Sequence, residues 1–288
     1  IEALRGVSFD AQRGEIFGII GPDGAGKTTL FRILTTLLLP DSGRATVDGL
    51  DVAADYKQIR RRVGYMPGRF SLYQDMSVEE NLRFFATLFG TTIEANYDLI
   101  RDIYSQIEPF RTRRAGALSG GMKQKLALSC ALIHKPSVLF LDEPTTGVDP
   151  VSRKELWEML AKLRCQGITI LVSTPYMDEA SRCDRIALIR GGRFLDIDTP
   201  KRIIEKFGER LWAVSGDRMP AMLKTLRRHP QITSAFAFGD THHATPDATL
   251  TEEQLAAYLT AEGYRNLRIE AIEPGIEDCY MKLDRTNE

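Results

Sequence analysis

The sequence predicts an α/β domain built on a largely parallel sheet, followed by a small α+β module. Short apolar strands alternate with helices through most of the chain, which is typical of a parallel sheet layered with helices. A βαββαβ order near the end indicates a ferredoxin-like module. The chain of 288 residues exceeds the usual size of one domain. We therefore expect two domains, residues 1–207 and 208–288.

The first domain begins with a strand, a glycine-rich loop and a helix. Residues 15–20 form a β-branched run that ends at the loop, and residues 27–38 carry apolar side chains at helical spacing. Residues 138–141 and 169–173 are continuous apolar runs, which predict buried strands. Residues 150–165 predict a helix that starts with a proline.

A helical insertion interrupts this alternation. Residues 77–114 are mostly helical in pattern, and Ser77 and Glu80 have the spacing of a capping box at the start of a helix. We therefore expect an inserted helical subdomain at about residues 77–133.

The pattern changes near Gly208, after a predicted strand at 193–197 and a short helix at 200–207. The second domain is predicted to contain strands at 211–215, 232–238 and 267–272, helices at 220–228 and 252–262, and a weak strand within 240–249.

The composition is that of an ordinary globular protein, with 43% hydrophobic and 27% charged residues. Lys and Arg total 38 against 39 Asp and Glu, which gives a net charge of -1. This balance argues against nucleic acid as the main partner. No apolar run reaches the ~20 residues that a membrane helix needs. The chain starts at Ile1 without an initiator methionine, which predicts a trimmed fragment.

The cysteines and histidines do not form a metal or disulfide pattern. The four cysteines are scattered without a CxxC pair, which favours buried reduced thiols. The four histidines have no partner at ligand spacing, and we expect them to be core or surface residues. These residues are Cys130, Cys165, Cys183 and Cys279, and His134, His229, His242 and His243.

The first chemical motif lies in the loop between the first strand and helix. Residues 21–28 match the pattern GxxxxGK[ST] of a phosphate-binding loop. Its backbone N–H groups and the following helix dipole attract phosphate oxygens, Lys27 should reach the β- and γ-phosphates, and Thr28 should bind Mg²⁺. The predicted nucleotide-binding residues here are Gly21, Pro22, Asp23, Gly24, Ala25, Gly26, Lys27, Thr28 and Thr29.

A second motif delivers two carboxylates at the end of the strand at 138–141. Asp142 is predicted to hold Mg²⁺ through its water shell. Glu143 is predicted to orient or deprotonate the attacking water, as a general base does. Together with the phosphate-binding loop, these residues predict hydrolysis of ATP with Mg²⁺ as cofactor.

A third motif opens a helix with a serine and two glycines, as a second anion-binding helix start would. Its residues are Leu118, Ser119, Gly120, Gly121 and Met122. One nucleotide does not need two such helix starts. The run resembles the LSGGQ signature of ABC ATPases, with Met122 where glutamine is commonest. In that family, the signature of one subunit caps the ATP held by the phosphate-binding loop of another.

The resemblance to ABC ATPases covers the whole chain. Residues 147–150 look like the D-loop that touches the opposite site, and residues 42–49 fit an early antiparallel hairpin. Residues 70–89 and 273–278 are similar to the drug-export branch with ABC-2-type membrane subunits, and to the first ATPase unit of tandem proteins of the YbhF type. The apolar residues at 82–88 are typical of a subdomain core, although in the family this region faces the membrane subunit, so both interpretations stay open.

Two positions depart from the family pattern. The glutamine that senses Mg²⁺ and water is replaced by Gly68, and the switch histidine that bonds the γ-phosphate is replaced by Pro175. Proline has neither a side-chain donor nor a backbone N–H. We therefore expect this chain's own site to hydrolyse ATP weakly, while neighbouring residues or Glu143 alone remain an alternative route. The aromatic residue that stacks on adenine in the family would lie before Ile1.

The resemblance implies an ATP-binding and ATP-hydrolysing subunit of an ABC-2-type exporter, held at the cytoplasmic face of the membrane. Its implied partners are a second ABC nucleotide-binding domain and ABC-2-type permease subunits. One alternative is a soluble ABC ATPase of translation or DNA repair, although the basic linkers or coiled coils of such proteins are not visible. Another is a nucleotide sensor that does not hydrolyse ATP.

Overall fold

The computed structural model describes residues 2–286 and divides into two compact units between Pro200 and Lys201. The expected start of the fragment at Ile1 lies outside the described residues. The division lies before the boundary predicted at 207–208, because nearly all of the short helix Pro200–Glu205 groups with the second unit. Within that unit, Lys282 Nζ donates to Phe207 O at 2.5 Å, and Cys279 Sγ lies 3.5 Å from Ile203 O.

The first unit has eight strands and six α-helices among its described residues. The strands are β1 (Ile16–Ile20), β2 (Thr46–Val47), β3 (Leu50–Asp51), β4 (Val63–Met66), β5 (Val138–Asp142), β6 (Thr169–Thr174), β7 (Arg185–Arg190) and β8 (Arg193–Asp198). The helices are α1 (Lys27–Leu34), α2 (Tyr56–Arg62), α3 (Val78–Leu88), α4 (Tyr97–Tyr104), α5 (Gly120–Leu132) and α6 (Pro150–Cys165). Short 3₁₀ helices lie at Glu94–Asn96, Glu108–Phe110, Ala115–Ala117 and Met177–Arg182.

The main sheet is largely parallel, as the sequence predicts. Its strand order is β4-β5-β6-β1-β7-β8, and only the pair of β7 and β8 is antiparallel. Strands β1, β5 and β6 are buried along their whole length, because helices cover both faces of a parallel sheet. Phe31 of α1 packs edge-on against Phe140 of β5, with ring centroids 5.5 Å apart. The carboxyl ends of these strands therefore meet at one edge, where the predicted motifs lie.

Helix α1 is shorter than predicted. It ends at Leu34 and not at residue 38, because Thr36 adopts a left-handed backbone with φ of 63°. Arg60 fixes this turn by donating to both Thr36 Oγ1 and Thr36 O, each at 2.8 Å. The apolar residues Leu37–Leu39 of the predicted last turn are exposed instead.

The inserted segment is helical, and its capping box is confirmed. Ser77 N donates to Glu80 Oε2 at 2.7 Å, while Glu80 N donates to Ser77 Oγ at 3.2 Å. Two unpaired backbone N–H groups at the start of α3 are thereby satisfied.

The second unit contains the predicted βαββαβ order and two more helices, one before it and one after it. Its strands are β9 (Trp212–Ser215), β10 (Ile232–Phe238), β11 (Thr241–Pro246) and β12 (Arg268–Ala271). Its helices are α7 (Pro200–Glu205), α8 (Met219–Arg228), α9 (Glu252–Ala261) and α10 (Ile276–Thr286). The antiparallel order β10-β11-β9-β12 is compatible with a ferredoxin-like module.

The weak strand of the sequence is β11, and its polar residues find partners. His242 Nε2 lies 2.7 Å from Met219 O, and His243 Nδ1 lies 2.7 Å from Asp278 Oδ1. Hydrogen bonding to strands on both sides stabilises it despite its poor strand sequence.

Three cysteines are buried as expected, but Cys165 at the end of α6 is exposed. All four are free thiols. Among residues 2–286, no group of three or more His, Cys, Asp or Glu is arranged to hold a metal ion. Within the same range, no helix combines the length and apolar character that crossing a membrane requires.

Candidate nucleotide site

The glycine-rich loop joins β1 to α1 and is closely packed at its two ends. A Cβ at Gly21 would lie 2.1 Å from Ile189 O, and a Cβ at Gly26 would lie 2.5 Å from Ala3 O. Gly26 also has φ of 106°, which L side chains rarely adopt. Pro22, Asp23 and Gly24 are exposed, whereas Ala25 is buried and Thr28 and Thr29 are half-buried. The backbone here is therefore shaped for glycine, with an accessible tip.

The start of α1 is open for an anion. Gly26 is its N-cap and supplies no side-chain hydrogen bond, so the first N–H groups of the helix lack a side-chain cap. Such a helix start attracts phosphate through its N–H groups and its dipole.

Lys27 connects this loop with the second motif. Its side chain is 3% exposed, and Nζ donates to Gly21 O at 2.8 Å and to Pro22 O at 3.0 Å. Nζ also lies 3.1 Å from Glu143 Oε1, whose side chain is 23% exposed. A buried ammonium requires such oxygen partners, because desolvation of an unpaired charge is costly.

Strands β5 and β6 position the two carboxylates. Asp142 is the last residue of β5, is 2% exposed and accepts a hydrogen bond from Ser173 Oγ at 2.6 Å. Glu143 N donates to Ser173 O at 3.0 Å and to Ser173 Oγ at 3.1 Å, with φ of 51° at Glu143. Burial, followed by the nearby Asp142 charge, raises the pKa of Tyr65 on β4. One serine of β6 thus orients both acidic residues.

The third motif lies at the start of α5. Ser119 caps the helix, with Met122 N donating to Ser119 Oγ at 3.4 Å, and Leu118 is buried beneath. Ser119 and Gly120 are exposed. A Cβ at Gly121 would lie 2.8 Å from Ser152 Oγ of α6, which explains the glycine there. Gly121 of this motif contacts the start of α6, whereas Lys27 of the glycine-rich loop contacts Glu143.

Comparison with known proteins matches this arrangement to one family. Residues 4–146 match the family described as ABC transporter. The chain is 35% identical over 284 residues to Nod factor export ATP-binding protein I of Rhizobium sp. (strain N33), which covers 97% of this chain and 91% of that protein. This chain belongs to the ABC transporter ATP-binding proteins. The resemblance to ABC ATPases inferred from the motifs is thereby confirmed.

A second relative of this ABC protein is much longer. Probable multidrug ABC transporter ATP-binding protein YbhF of Escherichia coli (strain K12) is 39% identical over 276 residues, which cover 94% of this chain and 47% of that protein. The chain therefore spans about half the length of this relative.

Solved structures share the fold. One described as the ATP-binding subunit of an ABC transporter has a TM-score of 0.64 and 32% identity, covering 72% of this chain and 87% of that one. CbiO1 from Clostridium perfringens, described as part of the ABC transporter complex cbiONQ, has a TM-score of 0.62 and 28% identity. The match covers 79% of this chain and 89% of that one.

The two departures from the family pattern lie beside the carboxylates. A Cβ at Gly68 would lie 3.0 Å from Asp142 O and 3.7 Å from Glu143 Cβ, so this loop runs against the end of β5. Gly68 and the first residues of α5 line a cavity of about 190 Å³. Pro175 directly follows β6, and the next N–H, that of Tyr176, donates to Thr174 Oγ1 at 3.1 Å.

Two functional neighbours were missed from the sequence. Ser173 donates to the Asp142 carboxylate and accepts from the backbone N–H of Glu143, and Glu179 accepts hydrogen bonds from Thr145 and Thr174. The position of Ser173 near the end of β6, in register with Asp142, is the signal that predicts its role. Glu179 gave no such signal, since it lies outside any strand.

Proposed function

We propose that this chain is the ATP-binding and ATP-hydrolysing subunit of an ABC-2-type exporter. The observation that carries the proposal is the buried Lys27, which lies in a glycine loop at a helix start and faces Glu143. The names of the relatives, one a probable multidrug ABC transporter ATP-binding protein and the other a Nod factor export protein, support export.

The residues of the site fit MgATP. The phosphates would lie on the open N–H groups of α1, where Lys27 would neutralise part of their charge. Thr28 and Asp142 would hold Mg²⁺, which when bound neutralises charge that develops on the phosphates. Glu143 is placed to act as the general base toward water. Its ion pair with Lys27 would exchange for a phosphate oxygen, since both anions use the same ammonium.

We further propose that this site hydrolyses ATP slowly. Gly68 has no side chain to orient water, and Pro175 has no donor for the γ-phosphate. Neighbouring donors are already engaged, because Ser173 Oγ donates to Asp142 and Tyr176 N donates to Thr174. Loss of one preorganised donor can lower the rate by ~10²–10³.

The signature at 118–122 would serve a partner. Its helix start is exposed and capped by Ser119, as expected for residues that cap ATP on a second nucleotide-binding domain. Tyr73, Phe84 and Leu88 form exposed apolar surface on and near α3, which would contact an ABC-2-type permease. These partners would hold the chain at the cytoplasmic face, with residues 1–207 as the ATP-binding domain and 208–288 as an accessory domain.

Native co-purification from membranes tests this proposal. Recovery with a multispanning membrane protein and a second nucleotide-binding domain is the expected result. Recovery with ribosomes or DNA would favour the soluble ABC ATPase. A complex that binds ATP but has no turnover would favour the nucleotide sensor.

A further inference from the structure

Glu179 is a buried carboxylate that the proposed mechanism does not use. It lies in the 3₁₀ helix after β6 and is 2% exposed. Its Oε2 accepts hydrogen bonds from Thr174 Oγ1 at 2.6 Å and from Thr145 Oγ1 at 3.1 Å. Both threonines are fully buried. Because a buried carboxylate is costly, an arrangement that retains one requires a reason.

Thr145 lies in the loop after β5 and Thr174 is the last residue of β6, and both segments flank the proposed γ-phosphate position. Thr145 follows Glu143 by two residues, and Thr174 directly precedes Pro175. A single oxygen of Glu179 therefore links these two segments.

The other oxygen of Glu179 faces the first turn of α6. Glu179 Oε1 lies 3.7 Å from Arg153 Nε, and both atoms are buried without a hydrogen-bond partner among the described residues. An N–H···O hydrogen bond measures about 2.9 Å from nitrogen to oxygen, so these two atoms would have to approach by about 0.8 Å to form one. The Arg153 guanidinium also lies over the Tyr176 ring, 4.2 Å from its centroid.

The first turn of α6 in turn touches the signature. Ser152, next to Arg153, lies beside Gly121, where a Cβ would be 2.8 Å from Ser152 Oγ. A shift of the first turn of α6 toward Glu179 would carry Ser152 with it, because Ser152 and Arg153 are adjacent in that turn. The shift would change the packing of Ser152 against Gly121 at the start of α5.

We propose that Glu179 is a positioning residue that couples the nucleotide site to the first turn of α6 and, through it, to the signature of the same chain. The inference rests on the proposed ATP site. When MgATP separates Glu143 from Lys27, the shift of the Thr145 loop moves Glu179, and the gap to Arg153 closes. Two buried polar atoms that face each other without bonding are then satisfied together.

Trp157 on α6 reports this movement. It lies one turn after Arg153, is 4% exposed and is one of two tryptophans in the sequence. In the full chain with Trp212→Phe, MgATP should change Trp157 emission with a saturable dependence. Arg153→Met and Glu179→Gln should each reduce the amplitude by about threefold or more, while calorimetry shows MgATP affinity within about twofold of the parent.

Matched variants separate coupling from general damage. Arg153→Lys, which keeps the charge, should recover most of the amplitude. Lys154→Met, at an exposed neighbouring position, should leave the amplitude unchanged. Parental amplitudes in Arg153→Met and Glu179→Gln would overturn the inference, as would a parent that binds MgATP without any change in Trp157 emission. A parent that does not bind MgATP would instead overturn the proposed ATP site.

Discussion

Lys27 Nζ lies 3.1 Å from Glu143 Oε1, so the cation that should hold phosphate is paired with the carboxylate that should activate water. The two residues come from α1 and from the end of β5, which lie side by side only because the sheet is parallel. In the proposed site, binding of nucleotide would exchange this ion pair for contacts with phosphate. That exchange would link binding and catalysis at one atom of Lys27.

Lys27→Ala should weaken MgATP binding at least tenfold, which is about 1.4 kcal/mol. The substitution removes the charge that faces the phosphates while the open N–H groups of α1 remain. Calorimetry on the purified chain measures the affinity, with the exposed Lys57→Ala as the control. Equal affinities of the two variants would mean that the nucleotide binds elsewhere.

Ser173→Ala should lower the free energy of unfolding by about 1–3 kcal/mol, because the buried Asp142 loses its hydroxyl donor. Urea unfolding measures this change. Ser181→Ala is the matched control, since that serine is exposed on the following 3₁₀ helix. A Ser173 variant as stable as the control would show that the hydrogen bond of 2.6 Å contributes nothing to the fold.

His134 should make stability depend on pH. Its ring stacks on Phe89 with centroids 3.8 Å apart, and burial lowers the pKa of His134 below its ordinary value, although the hydrogen bond to Val63 O opposes this. Between the lowered folded pKa and the ordinary unfolded pKa of about 6.5, the unfolded chain binds more protons. Stability should therefore fall as pH falls below about 6.5.

Urea unfolding at a series of pH values measures this slope, and His134→Gln should make it shallower. That variant leaves the other titrating groups in place, so they serve as an internal reference. Identical slopes for both proteins would contradict the assignment to His134.

The isolated chain should bind ATP but turn it over far below the ~1–10³ s⁻¹ of typical enzymes. Gly68 and Pro175 leave the site without two donors, and Tyr176 N is already bonded to Thr174. Pro175→His, which restores a donor next to β6, should raise the rate. A turnover of several per second by the unmodified chain would refute the weak-site proposal.

The parallel sheet, the capped α3 and the family were predictable because each depends on local pattern or on a contiguous motif. Ser77 and Glu80 are three residues apart, so their reciprocal hydrogen bonds could be read from the sequence. The end of α1 could not, since it depends on Arg60, which lies far along the chain from Thr36. The contacts of Glu179 could not be predicted for the same reason, since its partners come from three separate segments.

In the proposed complex, the signature of this chain would serve a partner's site, while its own carboxylate would contribute little to total turnover. Gly120 suits a test of this claim, because a Cβ there would meet only Gly147 O, at an ordinary 3.6 Å. Gly120→Asp should therefore leave the fold intact and place a negative charge against the partner's γ-phosphate. Glu143→Gln keeps the size of the side chain and removes only the base.

Steady-state ATPase of the purified complex is the deciding measurement, with a partner domain that carries its own glutamine and histidine at the sensing positions. We expect Gly120→Asp to abolish most of the turnover and Glu143→Gln to retain most of it. A loss from Glu143→Gln as deep as the loss from Gly120→Asp would show that both sites hydrolyse ATP, and the proposed division of roles between the two sites would be wrong.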